Sequence, residues 1–377
     1  MSEINFKINL TYGGDSFMQD EGNNKDAFFI QFLLWSIFLP ITVLAGLIGN
    51  ILTIIVLWRR EMQSPTIYYL RALVISDSGI LITSVIALTP FACSNYLESS
   101  AMTVYKEAVY PILHTPVNFI MMFLQTANVW ITVSVSVERY IAICHPFKAT
   151  KICTKKKALI VIIAILFSSV AYNIPRLFAT RARKCPEVTG RSCFILADTP
   201  FGKTSSYRDV YGKIMFCIII YVIPLGSLLV LNVFIIMELM RMQRRARGAN
   251  IHDDNEANLS LVLVLIVVVF LVCQTPGLIA QFDWFDINTF FKWLAFSNFF
   301  FVFNSAVNFL IYTAFGRKFR KVLVRVFHRI AKHSRSFSIS RSHVTANGYE
   351  LTAIGDTDNT TVVDMYYGDK KPDSNAV

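Results

Sequence analysis

Seven long apolar stretches alternate with short polar segments along the 377 residues of this chain. Six stretches contain no Asp, Glu, Lys or Arg, and the other is interrupted only by Asp77. A helix needs about 20 apolar residues to cross the hydrocarbon core of a bilayer, and its backbone amides must be satisfied within the segment. The pattern therefore predicts seven membrane-spanning helices, within Phe28–Trp58, Ala72–Leu97, Ala108–Val137, Ala158–Pro175, Ile214–Met237, Ala257–Phe282 and Trp293–Phe315.

The charges between the stretches orient the predicted bundle. If the N-terminus is outside, the outer segments sum to zero charge, and the inner loops and C-terminal tail sum to +12. Lys and Arg concentrate on the cytoplasmic side of membrane proteins, so we expect a plasma-membrane protein with an extracellular N-terminus and a cytoplasmic C-terminus. The outer loop 176–213 has a net charge of +5 and opposes this orientation, but long loops count less in the rule.

The segments that flank the spans complete the predicted organisation. Residues 1–27 form an extracellular tail with a glycosylation sequon at Asn9. Residues 316–330 place apolar side chains at helical spacing among cations, which predicts an amphipathic helix on the inner leaflet. Residues 331–377 are polar and rich in Ser and Thr, which predicts a disordered cytoplasmic tail. The expected fold class is an all-α membrane protein, with a seven-helix bundle over 28–315.

Charge and composition also bear on the partners and the chemistry. Hydrophobic residues make up 54% of the chain, and the formal net charge is +11. Because the excess cations lie on the predicted inner face, we expect them to meet anionic lipid rather than nucleic acid. The spans contain no cluster of metal ligands, no nucleophile beside a base and no phosphate-binding glycine loop. We therefore expect neither an enzyme nor a cofactor or metal site.

Polar residues inside the spans are the candidate functional groups. An ionisable side chain in a membrane is costly, so Asp77 in the second stretch is a functional candidate, either within a buried polar network or as a site for a cation. The candidate partners are amides in other stretches, namely Asn50, Asn128, Asn304 and Asn308. Such groups also hold helices together by hydrogen bonding alone, which is the structural alternative. Glu138 and Arg139 end the third stretch, either as an interfacial pair or as a pair that opens toward a partner.

Several short motifs occur in order, about one per span, and together resemble rhodopsin-like G-protein-coupled receptors over roughly 28–330. Glu138-Arg139-Tyr140 resembles the end of helix 3 in that family, and Asn50 and Asp77 match its polar residues in helices 1 and 2. The remaining matches are Pro224 in helix 5, Phe270, Cys273 and Pro276 in helix 6, and Asn308 to Tyr312 in helix 7. Phe309 stands where the family has a proline.

At some motif positions the chain has residues that differ from those usual in the family. In these differences the chain resembles the FMRFamide-type neuropeptide receptors of invertebrates. The resemblance implies an extracellular amidated peptide that ends in Arg-Phe-amide, a heterotrimeric G protein inside, and a receptor kinase and arrestin on the tail. It also implies an activation relay of Glu138, Arg139, Tyr140, Asn308 and Tyr312. We expect Gln274, which is polar where an aromatic residue is usual, to extend the buried network from Asn304 toward the ligand.

The resemblance also bears on the ligand. Met121 stands where amine receptors have an aspartate, and Val302 where opsins have a lysine, so neither an amine nor retinal is expected. An Arg-Phe-amide end needs an acid, a polar group for the amide and apolar walls. The candidates are the acids Glu107, Asp283 and Asp286, the amides Gln125 and Gln281, and the wall residues Met121, Met122, Phe282 and Trp284.

The disulfide pattern departs from the family. His114 occupies the position of the family's helix-3 cysteine, so the usual bridge cannot form. Cys93 is one substitute, by bridging to Cys185 or Cys193; a local Cys185–Cys193 pair is the other. We favour the local pair because only seven residues separate the two cysteines.

Two other classes remain as alternatives to a peptide receptor. One is a chemosensory receptor for small molecules that shares the same bundle. The other is a small transporter or channel, which the absence of an evident internal repeat disfavours.

Overall fold

A computed structural model describes residues 21–185, 193–247, 254–282 and 284–329. Within these residues, seven helices are long and apolar enough to cross a membrane, which confirms the predicted seven-helix fold. They are α1 (Lys25–Leu57), α2 (Pro65–Tyr96), α3 (Ser100–Cys144), α4 (Lys155–Ala179), α5 (Ser206–Met242), α6 (Leu261–Ile279) and α7 (Ile287–Phe315). Helical structure extends α1 back to Glu21, α5 on to Arg247 and α6 back to Asp254. A short helix, Pro146–Ile152, lies between α3 and α4.

Helix α3 lies at the centre of the bundle and packs against α2, α4, α5 and α6. Helix α7 packs against α1, α2 and α6. Glycine allows the close approach of α1 and α7, because a Cβ on Gly49 would lie 2.8 Å from the Cβ of Phe309. Small residues at such crossings are typical of membrane helices, whose association depends on close van der Waals contact.

The ends of the helices follow local rules of capping. Helix α2 begins with Pro65, whose missing N–H costs nothing in the first turn. Helix α7 follows Asp286, whose side chain accepts the N–H of Thr289 at 3.1 Å. This hydrogen bond lowers the pKa of the Asp286 carboxyl, and a carboxylate is favourable at the positive end of the helix dipole.

Four stretches of π-helical turns widen the spans, mostly near their beginnings. They are Leu33–Phe38 in α1, Tyr105–Val109 in α3, and Ser206–Met215 and Cys217–Val222 in α5. Such turns are rare in proteins and often occur near functional sites. They lie in the half of the bundle where α1, α3, α5 and α7 begin, which we call the amino half.

A β-hairpin between α4 and α5 was not predicted. Strands β1 (Thr180–Lys184) and β2 (Phe194–Asp198) pair antiparallel. The hydroxyls of Thr115 on α3 and Thr180 lie 2.9 Å apart, so the hairpin packs on the amino half of the central helix.

A further helix, α8, follows α7 over residues 317–329, which confirms the predicted amphipathic helix after span 7. Phe319, Val322 and Val326 are buried, whereas the side chains of Val324 and Phe327 are exposed. The helix therefore has one apolar face that is buried and further apolar side chains that are exposed, as in an amphipathic helix at a membrane surface. The predicted sequon at Asn9 and the tail 331–377 lie outside the described residues.

Candidate functional site

Side chains from three helices meet at the buried carboxylate of Asp77. Asn128 on α3 donates to Oδ1 at 2.7 Å, and Asn308 on α7 donates to Oδ2 at 2.8 Å. Asn128 also contacts the hydroxyl of Ser76 at 2.9 Å. Each carboxylate oxygen therefore has a donor from a different helix, and the three predicted residues form one cluster that joins α2, α3 and α7.

The predicted amides on α1 and α7 lie beside this cluster. Asn50 donates from Nδ2 to the backbone carbonyl of Ser305 at 3.4 Å, which ties α1 to α7. Asn304 is also buried. Asn50 Oδ1 has no hydrogen-bond partner among the described residues. Unpartnered buried polar atoms of this kind are sites where an ordered water completes the bonding.

The other predicted charge pair lies at the end of α3, in a closed arrangement. Arg139 donates to both oxygens of Glu138, from Nε at 2.8 Å and from Nη2 at 2.9 Å. The hydroxyl of Thr66, at the start of α2, donates a hydrogen bond to Glu138 Oε2 at 2.9 Å. The same hydroxyl accepts a hydrogen bond from Arg139 Nη2. All three side chains are buried. Sequence reasoning missed Thr66, whose contact with α3 cannot be inferred from its position in the chain.

The two predicted tyrosines of the relay have different surroundings. Tyr140 contacts the ring of His145 at 5.5 Å and that of Phe234 on α5 at 6.1 Å. Tyr312 is buried near the end of α7 and stacks on Phe319 of α8, with ring centroids 5.4 Å apart. Its hydroxyl has no hydrogen-bond partner. Tyr312 thus connects the end of α7 to α8.

A pocket with about 480 Å³ of empty space opens between α3, α5, α6 and α7 in the amino half. The described residues that line it include no Asp, Glu, Lys, Arg or His. Among the predicted residues, it brings together Met121, Met122, Gln125, Gln274 and Gln281. The structure therefore places Gln274 in this pocket. The expected link from Asn304 through Gln274 toward the ligand stays a prediction. We call this cavity the carboxamide pocket.

Two amide nitrogens in the carboxamide pocket have no acceptor in the part of the chain that the structure describes. They are Nε2 of Gln274, a residue only 2% exposed, and Nδ2 of Asn298 on α7. Sequence reasoning missed Asn298, because a single amide in an apolar span gives no sign of whether it faces the bundle or lipid. A buried donor without an acceptor carries an unmet desolvation cost, which a ligand oxygen would remove.

The charged and aromatic ligand candidates lie elsewhere. Glu107 and Asp286 are exposed at the beginnings of helices, and Asp286 is engaged as the cap of α7. Trp284 is 71% exposed and stacks on Phe282 at 5.0 Å. Asp283 lies outside the described residues. The structure thus leaves these described candidates out of the lining of the neutral pocket, a separation that the sequence did not predict.

A second, partly open cavity lies beside the first and shares Met121 with it. It is lined mainly by apolar and aromatic residues of α1, α2 and α3, and His114 is among them. His114, which stands where the family has a cysteine, thus forms part of the wall of this cavity. Cys185 and Cys193 form a disulfide at the end of the β-hairpin, and Cys93 is free.

The comparisons with known proteins agree with this arrangement. The family model of the 7 transmembrane receptor (rhodopsin family) matches residues 49–312. This match covers more than half of the chain, so the protein belongs to the rhodopsin family of seven-transmembrane receptors. The match runs from Gly49 to Tyr312 and so includes Asp77, the Glu138–Arg139 pair and the carboxamide pocket.

Within this family, the chain is similar to several curated receptors. An FMRFamide receptor of Drosophila melanogaster is 30% identical over 324 residues, which are 85% of this chain and 58% of the relative. An FMRFamide peptide receptor of Caenorhabditis elegans is 26% identical over 75% of this chain and 67% of the relative. Neuromedin-U receptor 2 of Rattus norvegicus is 27% identical over 75% of this chain and 73% of the relative. The chain thus spans less than two thirds of the length of the Drosophila relative.

Proposed function

We propose that this chain is a plasma-membrane receptor for an amidated neuropeptide that ends in Arg-Phe-amide, and that it activates a heterotrimeric G protein. The N-terminus is extracellular and the C-terminus cytoplasmic, as the excess of cations in the inner segments favours. The similarity to two FMRFamide receptors supports the class of ligand. Membership in a family of receptors supports a role in signalling rather than catalysis.

The uncharged lining of the carboxamide pocket is the observation that carries the proposal. The carbonyl oxygen of a C-terminal amide would accept from Gln274 Nε2 and Asn298 Nδ2, which otherwise have no partner. A free C-terminal carboxylate would have to lose its water without meeting a cation, which is costly. Sulfur and ring atoms of Met121, Met122 and Phe301 line the same pocket and suit a phenyl ring.

The guanidinium of the penultimate arginine would remain at the rim. An arginine is always charged and is best met by a carboxylate. Glu107 and Asp286 are exposed at the beginnings of α3 and α7, which suits residues that meet the ligand before it enters. Asp283 remains a candidate of the same kind.

At the other end of the bundle, Arg139 is the proposed contact with the G protein. The Glu138–Arg139 pair and Thr66 together hold α3 against α2. Ligand binding shifts the equilibrium between two helix packings only by its differential affinity for them. A packing that separates α3 from α2 would free Arg139 for a cytosolic partner. Asp77 and Asn308 connect α2 to α7, and Tyr312 connects α7 to α8. These three residues form the remainder of the proposed relay. A receptor kinase and arrestin would act on the tail 331–377.

A calcium-reporter assay with a promiscuous G protein tests this proposal. Cells that express the chain are challenged with Arg-Phe-amide peptides, the same peptides as free acids, amines and small volatile compounds. We expect activation by the amidated peptides, weaker activation by the free acids and no response to amines. Activation by volatiles alone would favour a chemosensory receptor, and ion or solute flux without a G protein would favour a transporter or channel.

A variant in the pocket tests the proposed site in the same assay. Gln274→Leu should lower the preference for amide over acid, because it removes a donor to the amide carbonyl. Its control is Thr275→Val, since the Thr275 hydroxyl is exposed and bonds only to its own helix at Leu271. An unchanged preference in Gln274→Leu would remove this residue from the site.

A further inference from the structure

Arg176 is a buried cation near the end of α4. Arg176 is only 3% exposed, although in the sequence it directly follows the fourth apolar stretch and begins the outer loop. Its Nε donates to Asn173 Oδ1 at 3.0 Å, and Asn173 in turn bonds to Thr126 on α3. The guanidinium lies over the rings of Tyr211 and Phe216 on α5, at 5.3 Å and 5.2 Å from their centroids.

The charge of Arg176 is not balanced within the described part of the chain. Its Nη2 has no hydrogen-bond partner, and none of the described carboxylates forms a salt bridge with it. Guanidinium does not lose its proton in proteins, so the charge persists. Two aromatic faces offset part of the desolvation cost, but a buried cation in a membrane protein normally has an anionic partner or marks a functional site.

A second donor lies in the same cluster. The hydroxyl of Tyr172, one turn before Arg176, is buried beside the Arg176 guanidinium, from which it can accept, and it has no acceptor of its own among the described residues. The ring centroids of Tyr172 and Tyr211 lie 5.3 Å apart. The Tyr211 hydroxyl donates a hydrogen bond to the backbone carbonyl of Tyr172 at 2.7 Å, so it is already engaged. The cluster therefore presents a guanidinium N–H and a phenol O–H, both buried and both free to donate. This combination suits a carboxylate, which accepts from an arginine and a hydroxyl together.

We propose that Arg176 and Tyr172 form a subsite for an acidic side chain of the peptide ligand, on the N-terminal side of its Arg-Phe-amide end. The proposal rests on the proposed function. Phe216 links the two sites, because its ring lines the carboxamide pocket and also lies beneath Arg176. The loop 176–213 has a net charge of +5, which would repel a purely cationic peptide and attract an acidic residue.

The test is a scan of paired peptides in the calcium-reporter assay. Asp is placed at each position before the amidated dipeptide, and every Asp peptide is compared with its Asn counterpart. In the unmodified receptor, one position should favour Asp by about tenfold or more in potency. Arg176→Gln should abolish this preference while the Asn peptide keeps its potency, and Tyr172→Phe should reduce it.

Arg183→Gln is the matched control, because Arg183 is an exposed cation on β1. It should keep the preference, which distinguishes a local contact from general attraction by the basic loop. If Arg176→Gln does not reach the cell surface, Arg176→Lys and Tyr172→Phe decide: an unchanged preference in both overturns the subsite. The subsite is also overturned if no position favours Asp in the unmodified receptor, or if Arg183→Gln removes the preference. If no amidated peptide activates the unmodified receptor, the proposed function itself fails.

Discussion

Asn308 on α7 donates a hydrogen bond to Asp77 on α2 at 2.8 Å, across 231 residues of sequence. Asn128 on α3 donates to the other oxygen of the same carboxylate. Three helices are therefore held at one buried group, and a movement of any of them must break a hydrogen bond to a carboxylate. This relationship makes the cluster a structural tie between the three helices, and we propose that it is also a point at which helix packing is sensed.

Removing one donor from Asp77 should destabilise the bundle. We expect Asn308→Ala to lower the free energy of unfolding by about 1–2 kcal/mol, because it leaves a buried carboxylate oxygen without its donor. The measurement is the thermal unfolding midpoint of the purified receptor. Ser78→Ala is the control, since the Ser78 hydroxyl bonds only to Val74 of its own helix. Equal midpoints for the two variants would contradict the role of Asn308.

Loosening the Glu138–Arg139 pair should raise signalling without ligand. Thr66→Val removes the hydroxyl that contacts both side chains, so the closed arrangement loses its link to α2. We expect higher basal nucleotide exchange in membranes, and Thr66→Ser, which keeps the hydroxyl, should remain at the unmodified level. Basal exchange that is the same in both variants would show that the link does not hold the inactive packing.

The junction between α7 and α8 should tolerate no side chain at Gly316. A Cβ there would lie 2.5 Å from the Tyr312 carbonyl oxygen and 3.2 Å from the Phe319 Cβ. We expect Gly316→Val to displace α8 and to lower stability by about 1–3 kcal/mol, the usual cost of overpacking. In Gly226→Ala, the control, the added Cβ meets nothing within 4 Å. A thermal midpoint in Gly316→Val as high as that of the control would contradict this packing.

Peptide mapping under non-reducing conditions should recover a Cys185–Cys193 crosslink, with Cys93 available to a thiol reagent. Closing a loop of this size constrains the unfolded chain by about 2–3 kcal/mol in the chain-entropy account. Cys193→Ser should therefore lower the thermal midpoint, whereas Cys93→Ser should not. A crosslink from Cys93 to either loop cysteine would refute this pairing.

The number and order of the membrane-spanning helices could be predicted from the sequence, because the bilayer requires each span to be helical and sets its length. The ends of the spans could not. Helix α3 runs from Ser100 to Cys144, well past the uncharged stretch Ala108–Val137, because Lys106 and Glu107 lie in its first turns and Glu138 pairs with Arg139 near its end. A rule that stops at the first charge misses helices whose terminal charges are paired or exposed.

The candidate site was predicted unevenly. The motif residues Asp77, Asn128 and Asn308 were identified because polar groups in apolar spans are conspicuous. Asn298 and Arg176 were not, because their importance depends on which way the side chain faces and on what lies across from it. The β-hairpin was missed for a related reason: its first strand, Thr180–Lys184, is rich in cations and lacks the alternating apolar pattern that identifies a strand.

Ligand-stimulated nucleotide exchange in isolated membranes, with a purified heterotrimeric G protein, is the most direct test of the account. An Arg-Phe-amide peptide should accelerate exchange in membranes that contain the unmodified chain. Arg139→Ala should bind the labelled peptide as before but give little or no acceleration, because the proposed contact with the G protein is gone. Full acceleration in Arg139→Ala, or peptide-independent exchange in the unmodified chain, would contradict the account.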